Sequence, residues 1–167
     1  MSNYRIISAD NHVYEPEDLW TSRAETKFKE RAPHIERLEA GDFWFCDGVK
    51  TLGVEGNARE APRIEEVLLG GYIPEEHVKD LDIDGVDIGI VYPTIGLFLY
   101  GVPDSELLTS SFRSYNDWIG EWCNAFPKRL KAIAMLNVDD VEESVRELER
   151  CAKIGFAGAM ITVYPVE

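Results

Sequence analysis

Two polar residues near the N-terminus, Asp10 and His12, have the types and the spacing of a metal-binding pair. An isoleucine-rich apolar run precedes them, which predicts a buried strand over residues 4–9 that ends in a loop. Because side chains alternate across a strand, residues two apart point to the same face. A carboxylate oxygen and an imidazole nitrogen both bind zinc or manganese well. The spacing alone is weak evidence, since Asp10 can equally be a turn acceptor.

Four further polar residues are candidates for lining a substrate cleft. Tyr92, Thr94 and Asn137 lie at the ends of the second and third predicted strands, where groups that touch substrate project. Ordinary loop packing explains them equally well. Glu15 follows His12 by three residues and is either a hydrogen-bonding partner of a metal ligand or a cap for the next segment.

The remaining histidines and the cysteines indicate no second site. His34 and His77 lie off the predicted strand ends, so we expect both to be ordinary surface residues. Cys46, Cys123 and Cys151 form an odd set without CxxC spacing, which indicates neither a disulfide framework nor a thiolate zinc site. The cysteine usage favours a reducing compartment, and we expect a cytoplasmic protein.

The elements that would position the candidate residues alternate along the chain. Strands are predicted over residues 4–9, 86–92, 130–136 and 156–163, and helices from Pro74 to a break at Gly85, over 105–126 and over 139–154. In the last helix, Asp139 is the predicted N-cap and Gly155 the terminator. Such alternation predicts an α/β fold with right-handed βαβ units and a parallel sheet, either open or part of a barrel.

A long insertion separates the first strand from this regular part. Residues 13–72 lack a clear period and contain several prolines and glycines. Within them, residues 43–46 and 49–54 flank Asp47 and Gly48, a pair that favours a tight hairpin turn. The sequence therefore predicts a β-hairpin inside an otherwise irregular insertion.

Charge restricts the possible partners. The chain has 17 Lys and Arg against 31 Asp and Glu, a formal net charge of −14. This field repels phosphate backbones and anionic lipid, so we expect no nucleic-acid partner. No apolar stretch reaches the roughly 18 residues of a membrane span, so we expect no membrane partner either. A small-molecule substrate is the remaining expectation.

Several segments, in the right order, resemble the amidohydrolase-related family that includes the aminocarboxymuconate semialdehyde decarboxylase-like enzymes. Residues 6–16 (IISADNHVYEP) resemble the opening of that family. Residues 80–87 (DLDIDGVD) and 92–94 (YPT) are similar to its approach to and exit from strand two. Residues 126–130 (FPKRL), 147–148 (EL) and 155–158 (GFAG) are similar to its third and fourth units. The resemblance covers most of the chain.

The resemblance implies a (β/α)₈ TIM barrel with one divalent ion, most often zinc and alternatively manganese. Asp10 and His12 match the ligands that follow strand one. The family's other ligands, after strands five and six and near strand eight, and its general base have no counterpart here. A full barrel needs about 250 residues. We therefore expect residues 1–167 to be the N-terminal part of one metal-dependent hydrolase domain, a partial barrel of about four βα units.

Two functional hypotheses follow. The first is a metal-dependent hydrolase or non-oxidative decarboxylase that acts on a small carboxylated, often aromatic, substrate. The second is a catalytically inactive half-barrel that self-associates, because its first and last strands would each lack a partner. Under either hypothesis we expect a homo-oligomer. An open-sheet binding domain is a weaker third alternative, since the sequence has neither a GxGxxG nor a P-loop motif.

Overall fold

The computed structural model describes residues 5–53 and 63–161. In chain order the strands and α-helices are β1 (Ile7–His12), α1 (Leu19–Arg23), β2 (His34–Leu38), β3 (Gly41–Cys46), β4 (Val49–Gly53), α2 (Pro74–Ile83), β5 (Ile88–Tyr92), α3 (Ser105–Asn124), β6 (Leu130–Met135), α4 (Val141–Lys153) and β7 (Gly158–Met160). The strands form a parallel sheet with strand order β1-β5-β6-β7 and an antiparallel sheet with order β2-β3-β4.

The parallel sheet confirms the predicted α/β class. Helix α2 leads into β5, α3 connects β5 to β6, and α4 connects β6 to β7. Each of these strands lies next to its successor in the parallel sheet, and the order never reverses. A doubly wound open sheet would reverse its order at a switch point. The described strands therefore follow each other as barrel strands do.

Strand β1 extends further than the sequence predicts. Its observed range is Ile7–His12, because Asn11 and His12 pair with Val91 and Tyr92 of β5. The register shifts between Ser8 and Asn11, where two residues of β1 lie opposite a single residue of β5. Asp10 and His12 thus belong to the end of the strand and not to the loop that we predicted. The first residue of the predicted strand, Tyr4, lies outside the described residues.

The predicted hairpin is present and belongs to a larger antiparallel sheet. Strands β3 and β4 are joined by Asp47 and Gly48, with φ of 53° and 71°. Two successive residues at positive φ form the turn that suits the twist of a hairpin. Strand β2, which pairs with β3, and the short helix α1 were not predicted from the sequence. The described parts of the insertion, residues 13–53 and 63–72, are therefore less irregular than predicted. Val54, at the end of the predicted hairpin, lies outside the described residues.

Helix α3 supplies much of the core. A stripe of large apolar residues on one face of this helix, including Phe112, Tyr115 and Ile119, is buried and packs towards β6. The other side of the core comes from the insertion, where Trp20 and Trp44 meet edge to face at 5.4 Å. The Trp20 indole N–H donates to the carbonyl of Ser111 on α3 at 3.0 Å. The insertion is thus part of the core and not an appendage.

Within the described part of the parallel sheet, β5 is buried on one face and half-buried on the other, whereas every residue of β6 except Lys131 is buried. In β5, Gly89 and Val91 are buried, whereas Ile88, Ile90 and Tyr92 are only half-buried. At the two edge strands, Ile7 is 55% exposed and Ile161, which follows β7, is 56% exposed. Apolar side chains on the uncovered face of a sheet normally pack against another layer or a second chain.

Helix α4 begins one residue later than predicted. Asp140 is the N-cap, and its side chain accepts the backbone N–H of Glu143 at 2.9 Å. The assignment of Asp139 as N-cap is therefore wrong. Gly155, with φ of 99°, follows the last turn as predicted. Strand β7 is shorter than predicted, and residues 162–163 of the prediction are not described. Across the described ranges, no helix combines the length and apolar character needed to cross a bilayer.

Candidate metal centre

Asp10 and His12 lie together at the carboxyl end of β1. The distance from His12 Nε2 to Asp10 Oδ1 is 3.3 Å, and both side chains are open to solvent. The register shift in β1 lies next to Asp10, a position where such irregularities re-aim side chains at functional sites. One carboxylate oxygen and one imidazole nitrogen so close together can share a single ion. The predicted proximity of this pair is present in the structure.

The tautomer of His12 is set by the hydrogen bond of Nδ1, the ring nitrogen that does not face Asp10. His12 Nδ1 lies 2.7 Å from the carbonyl oxygen of Pro93, which directly follows β5. A carbonyl can only accept, so Nδ1 carries the proton and donates it. In the neutral ring, Nε2 then keeps its lone pair, on the side that faces Asp10. A backbone carbonyl in this role is a common partner of metal-binding histidines.

Tyr92 and Thr94 lie beside this pair. Tyr92 is the partner of His12 in the β1–β5 register, and the two ring centroids are 6.1 Å apart. Thr94 borders an open cavity of about 400 Å³ that His12 also borders. Other residues around this cavity are Asn11, Tyr14, His77 and Asp80. Both residues are thus within reach of a molecule bound at His12.

Glu15 does not line the cleft. It is fully buried, and its carboxylate accepts the backbone N–H groups of Thr94, Ile95 and Gly96 at 3.3, 3.0 and 2.9 Å. Burial raises the pKa of Glu15, and the N–H groups of Gly96 and Ile95 oppose part of that rise. The expectation that Glu15 faces substrate is therefore corrected, because its oxygens are engaged with the chain after β5.

Asn137 is also a structural residue. It is 7% exposed, and its amide donates to the Ser105 carbonyl, the Ser105 hydroxyl and the Thr109 hydroxyl at 2.8–3.0 Å. Its side-chain oxygen accepts the N–H of Asp139. These bonds tie the end of β6 to α3 and leave no amide hydrogen directed at a ligand. Here too the expected role in lining the cleft is corrected.

The other two histidines lie apart from the pair. His34 is half-buried, with Nδ1 2.8 Å from the Ala32 carbonyl. His77 is buried, with Nδ1 2.7 Å from the Gly70 carbonyl and its ring edge-on to Trp122. The prediction of a surface residue is therefore wrong for His77, because the insertion folds over α2.

The donors present fit two positions of a metal site. In the part of the chain that the structure describes, no group of three or more His, Cys, Asp or Glu is arranged to hold an ion. Cys46, Cys123 and Cys151 are buried, and burial raises the pKa of each thiol to about 12. Asp10 and His12 thus offer an oxygen and a nitrogen donor, two of the three or four ligands of a typical site.

The roles of the Pro93 carbonyl and of Gly96 were not predicted from the sequence. Gly96 lies where a Cβ would come within 2.6 Å of Met135 Sδ and 2.9 Å of Pro93 Cβ. The signal in the sequence was the Tyr-Pro-Thr exit of strand two, which marks the end of a strand but does not reveal which side chain its carbonyl meets.

Comparison with known proteins finds enzymes that are similar to this chain. No family model matches the chain. A gamma-resorcylate decarboxylase from Polaromonas sp. is 30% identical over 104 residues, which are 62% of this chain and 31% of that protein. A second gamma-resorcylate decarboxylase, from Rhizobium radiobacter, is 28% identical over 96 residues, or 57% of this chain and 29% of that protein. The aligned part thus covers about a third of the curated relatives' length.

Solved structures of low sequence identity share the fold. An amidohydrolase from Mycobacterium avium subsp. paratuberculosis superposes with a TM-score of 0.76 at 17% identity, over 96% of this chain and 50% of that one. A dihydroxybenzoic acid decarboxylase from Polaromonas sp., solved with bound manganese and an inhibitor, superposes with a TM-score of 0.55 at 21% identity. The superposition covers 95% of this chain and 38% of that one. Sequence and structural comparisons together confirm that this chain resembles the amidohydrolase-related proteins, among them decarboxylases of aromatic acids.

Proposed function

We propose that this chain supplies the first two metal ligands, Asp10 and His12, of an amidohydrolase-type enzyme that decarboxylates or hydrolyses a small aromatic carboxylate. The observation that carries the proposal is the pair itself. Its Nε2 and Oδ1 atoms are 3.3 Å apart, and the Pro93 carbonyl holds the proton on the far nitrogen of the ring. Relatives named as decarboxylases of 2,6-dihydroxybenzoate and of 5-carboxyvanillate support this substrate class.

A divalent ion at this pair would orient the acid and stabilise negative charge that develops on the substrate. Neighbouring structures with bound manganese favour manganese, and the donor set accepts zinc equally. Tyr92 and Thr94 are the residues of this chain that we expect to contact the substrate. We expect the remaining ligands and the general base to come from outside this chain, as the other half of a (β/α)₈ barrel whose first part is residues 1–167.

The test is metal binding by the size-fractionated chain, measured by equilibrium dialysis against manganese or zinc with elemental analysis. Two ligands from one chain predict weak binding and no turnover of 2,6-dihydroxybenzoate. The variant with Asp10→Ala and His12→Ala should lose the bound metal, whereas the matched control His34→Ala should keep it. Metal retained in the double variant would refute the assignment. Tight, stoichiometric metal with turnover would instead show that the site is complete without further residues.

An inactive half-barrel that self-associates is the second candidate. The observation in its favour is apolar surface at the two edges of the described parallel sheet, where Ile7 and Ile161 are exposed. Light scattering on the same fractions separates the two candidates. A stable dimer without metal supports the second, and one metal per chain in a dimer supports a site that is completed across the two copies.

A further inference from the structure

Three consecutive backbone N–H groups converge on one buried carboxylate. Glu15 Oε1 accepts from Gly96 at 2.9 Å, and Oε2 accepts from Ile95 and Thr94 at 3.0 and 3.3 Å. Glu15 lies just after β1, whereas the donors follow β5, 79 to 81 residues later in the chain. The carboxylate is therefore not a local helix cap. It joins the segment that follows β1, the strand with Asp10 and His12, to the segment that follows β5.

The Thr94 N–H and the Pro93 carbonyl belong to the same peptide group. This group is planar and trans, since the structure has no cis peptide bond in its described part, so its N–H and C=O point in opposite directions. Glu15 accepts from the N–H side, and His12 Nδ1 donates to the C=O side at 2.7 Å. The peptide is thus held between a buried carboxylate and the imidazole of the metal pair.

Close packing around this peptide leaves little room for another arrangement. A Cβ at Gly96 would lie 3.3 Å from Glu15 Oε1, in addition to its short approaches to Met135 and Pro93. Glu15 is fully buried, so water is not available as a substitute acceptor for the three N–H groups. The orientation of the Pro93 carbonyl therefore depends on the carboxylate.

We propose that Glu15 is a positioning residue for His12, which acts through the peptide between Pro93 and Thr94 to keep the imidazole proton on Nδ1 and the Nε2 lone pair towards Asp10. This inference rests on the proposed metal site. Because its oxygens are bonded to residues 94–96, Glu15 would contact neither the ion nor the substrate. Its contribution is to select one tautomer and one ring orientation before a ligand arrives, as groups that bond the second nitrogen of metal-binding histidines do.

The test is the tautomer of His12, read by nitrogen NMR on chain labelled at histidine, without metal and at alkaline pH where imidazoles are neutral. The unsubstituted chain should show the proton on Nδ1. In Glu15→Gln, the side-chain NH₂ must face either the Gly96 N–H or the Ile95 and Thr94 N–H groups together. The second arrangement releases the peptide between Pro93 and Thr94, so His12 should move towards a mixture of tautomers. The affinity for manganese should fall by about 10-fold, the lower end of the range for such partners.

Controls lie within the same molecule. His34 and His77 also bond carbonyl oxygens through Nδ1, and their signals should not change. Glu147→Gln removes another buried carboxylate, on α4, and should leave His12 unaffected. An unchanged His12 tautomer in Glu15→Gln would overturn the proposal, and so would an equal change in Glu147→Gln. If Glu15→Gln does not fold, hydrogen-bond couplings from the amides of residues 94–96 to the Glu15 carboxyl carbon are measured in the unsubstituted chain. Their absence would refute the contacts through which Glu15 acts on the peptide between Pro93 and Thr94.

The two proposals fail separately. A chain that binds no manganese but shows the Glu15-dependent tautomer would refute the metal site and keep the positioning role. A chain that binds metal through Asp10 and His12, with a His12 tautomer that does not depend on Glu15, would keep the metal site and refute the positioning role.

Discussion

Gly96 is the residue whose replacement tests the packing around the Glu15 carboxylate and the Pro93–Thr94 peptide most directly. An added Cβ would meet Met135 Sδ at 2.6 Å and Pro93 Cβ at 2.9 Å, and the second of these neighbours has little freedom to move. We expect Gly96→Ala to lower the free energy of unfolding by about 1–3 kcal/mol, as overpacking in a core does. Urea denaturation measures this.

Gly101, in the same 3₁₀ turn, is the matched control. A Cβ at Gly101 would have no neighbour within 4 Å. Gly101→Ala should therefore change stability by a few tenths of a kcal/mol at most, since surface substitutions rarely exceed about 0.5 kcal/mol. Equal effects at the two glycines would contradict the packing described here.

The sequence predicts part of the site at this scale. Asp10 and His12 are two residues apart near a strand end, and alternation of side chains is enough to predict that they meet. The sequence could not distinguish between the two roles considered for Glu15, because a capping carboxylate and a hydrogen-bonding partner of a metal ligand have the same sequence signature. Its actual contacts are with residues 94–96, and no local pattern reports a contact over about 80 residues.

At the scale of the element, the start of α4 illustrates an ambiguity that only the backbone resolves. Asp139 and Asp140 are each followed three residues later by a glutamate, so both fit a capping box. The structure selects Asp140, since its side chain accepts the N–H of Glu143. The sequence predicted the helix and its glycine terminator correctly and its first residue incorrectly.

The two aspartates make a paired prediction. Asp140→Ala should lower the free energy of unfolding by about 1 kcal/mol, because it leaves an N–H of the first turn without its side-chain acceptor. Asp139→Ala should have a much smaller effect. Thermal denaturation followed by circular dichroism measures both, and a larger loss in Asp139→Ala would restore the N-cap that we predicted from the sequence.

Strand boundaries depended on partners that the sequence does not reveal. β1 continues to His12 because β5 offers Val91 and Tyr92 for pairing. β2 exists because β3 lies beside it, although its own residues, HIERL, carry little apolar periodicity. Long runs with a clear period, such as α3 and β6, were predictable for the opposite reason, since their own composition decides them.

At the scale of the whole molecule, Arg31 links the small sheet to α3. Its guanidinium donates to Asp47, in the β3–β4 turn, at 2.7 Å and to Asp104, the N-cap of α3, at 2.8 Å. The hydrogen bond from Arg31 lowers the pKa of Asp47. The Leu107 N–H and then Arg31 lower the pKa of Asp104. One side chain therefore ties three parts of the chain together through ion pairs.

These lowered values predict a pH dependence with a definite sign. A carboxylate with a lowered folded-state pKa stabilises the fold above its unfolded value, about 3.9 for aspartate, and this contribution is lost as the pH falls. In Arg31→Gln, the urea midpoint should be lower at neutral pH and should fall less between about pH 5 and pH 2. Lys79→Gln, which removes an exposed ion pair with Glu76, is the control. Its urea midpoint should fall with pH as much as that of the unsubstituted chain.

The alternation of strands and helices was enough to predict the α/β class and the parallel sheet. Whether that sheet closes could not be predicted, because closure depends on pairing at β1 and β7, the two edges of the described sheet. The packing of the insertion was also beyond the sequence, since Trp20 and Trp44 meet each other and α3 only after the chain has folded.

The apolar side chains that the parallel sheet leaves in contact with solvent affect how the stability of this chain responds to temperature. The heat capacity of unfolding comes mainly from apolar surface that becomes hydrated when the chain opens. Ile7, Ile161 and one side of β5 already meet solvent in the folded chain, so unfolding hydrates less new apolar surface than it would in a closed barrel. The stability curve of this chain alone is accordingly flatter, with weaker curvature on both its cold and its warm side.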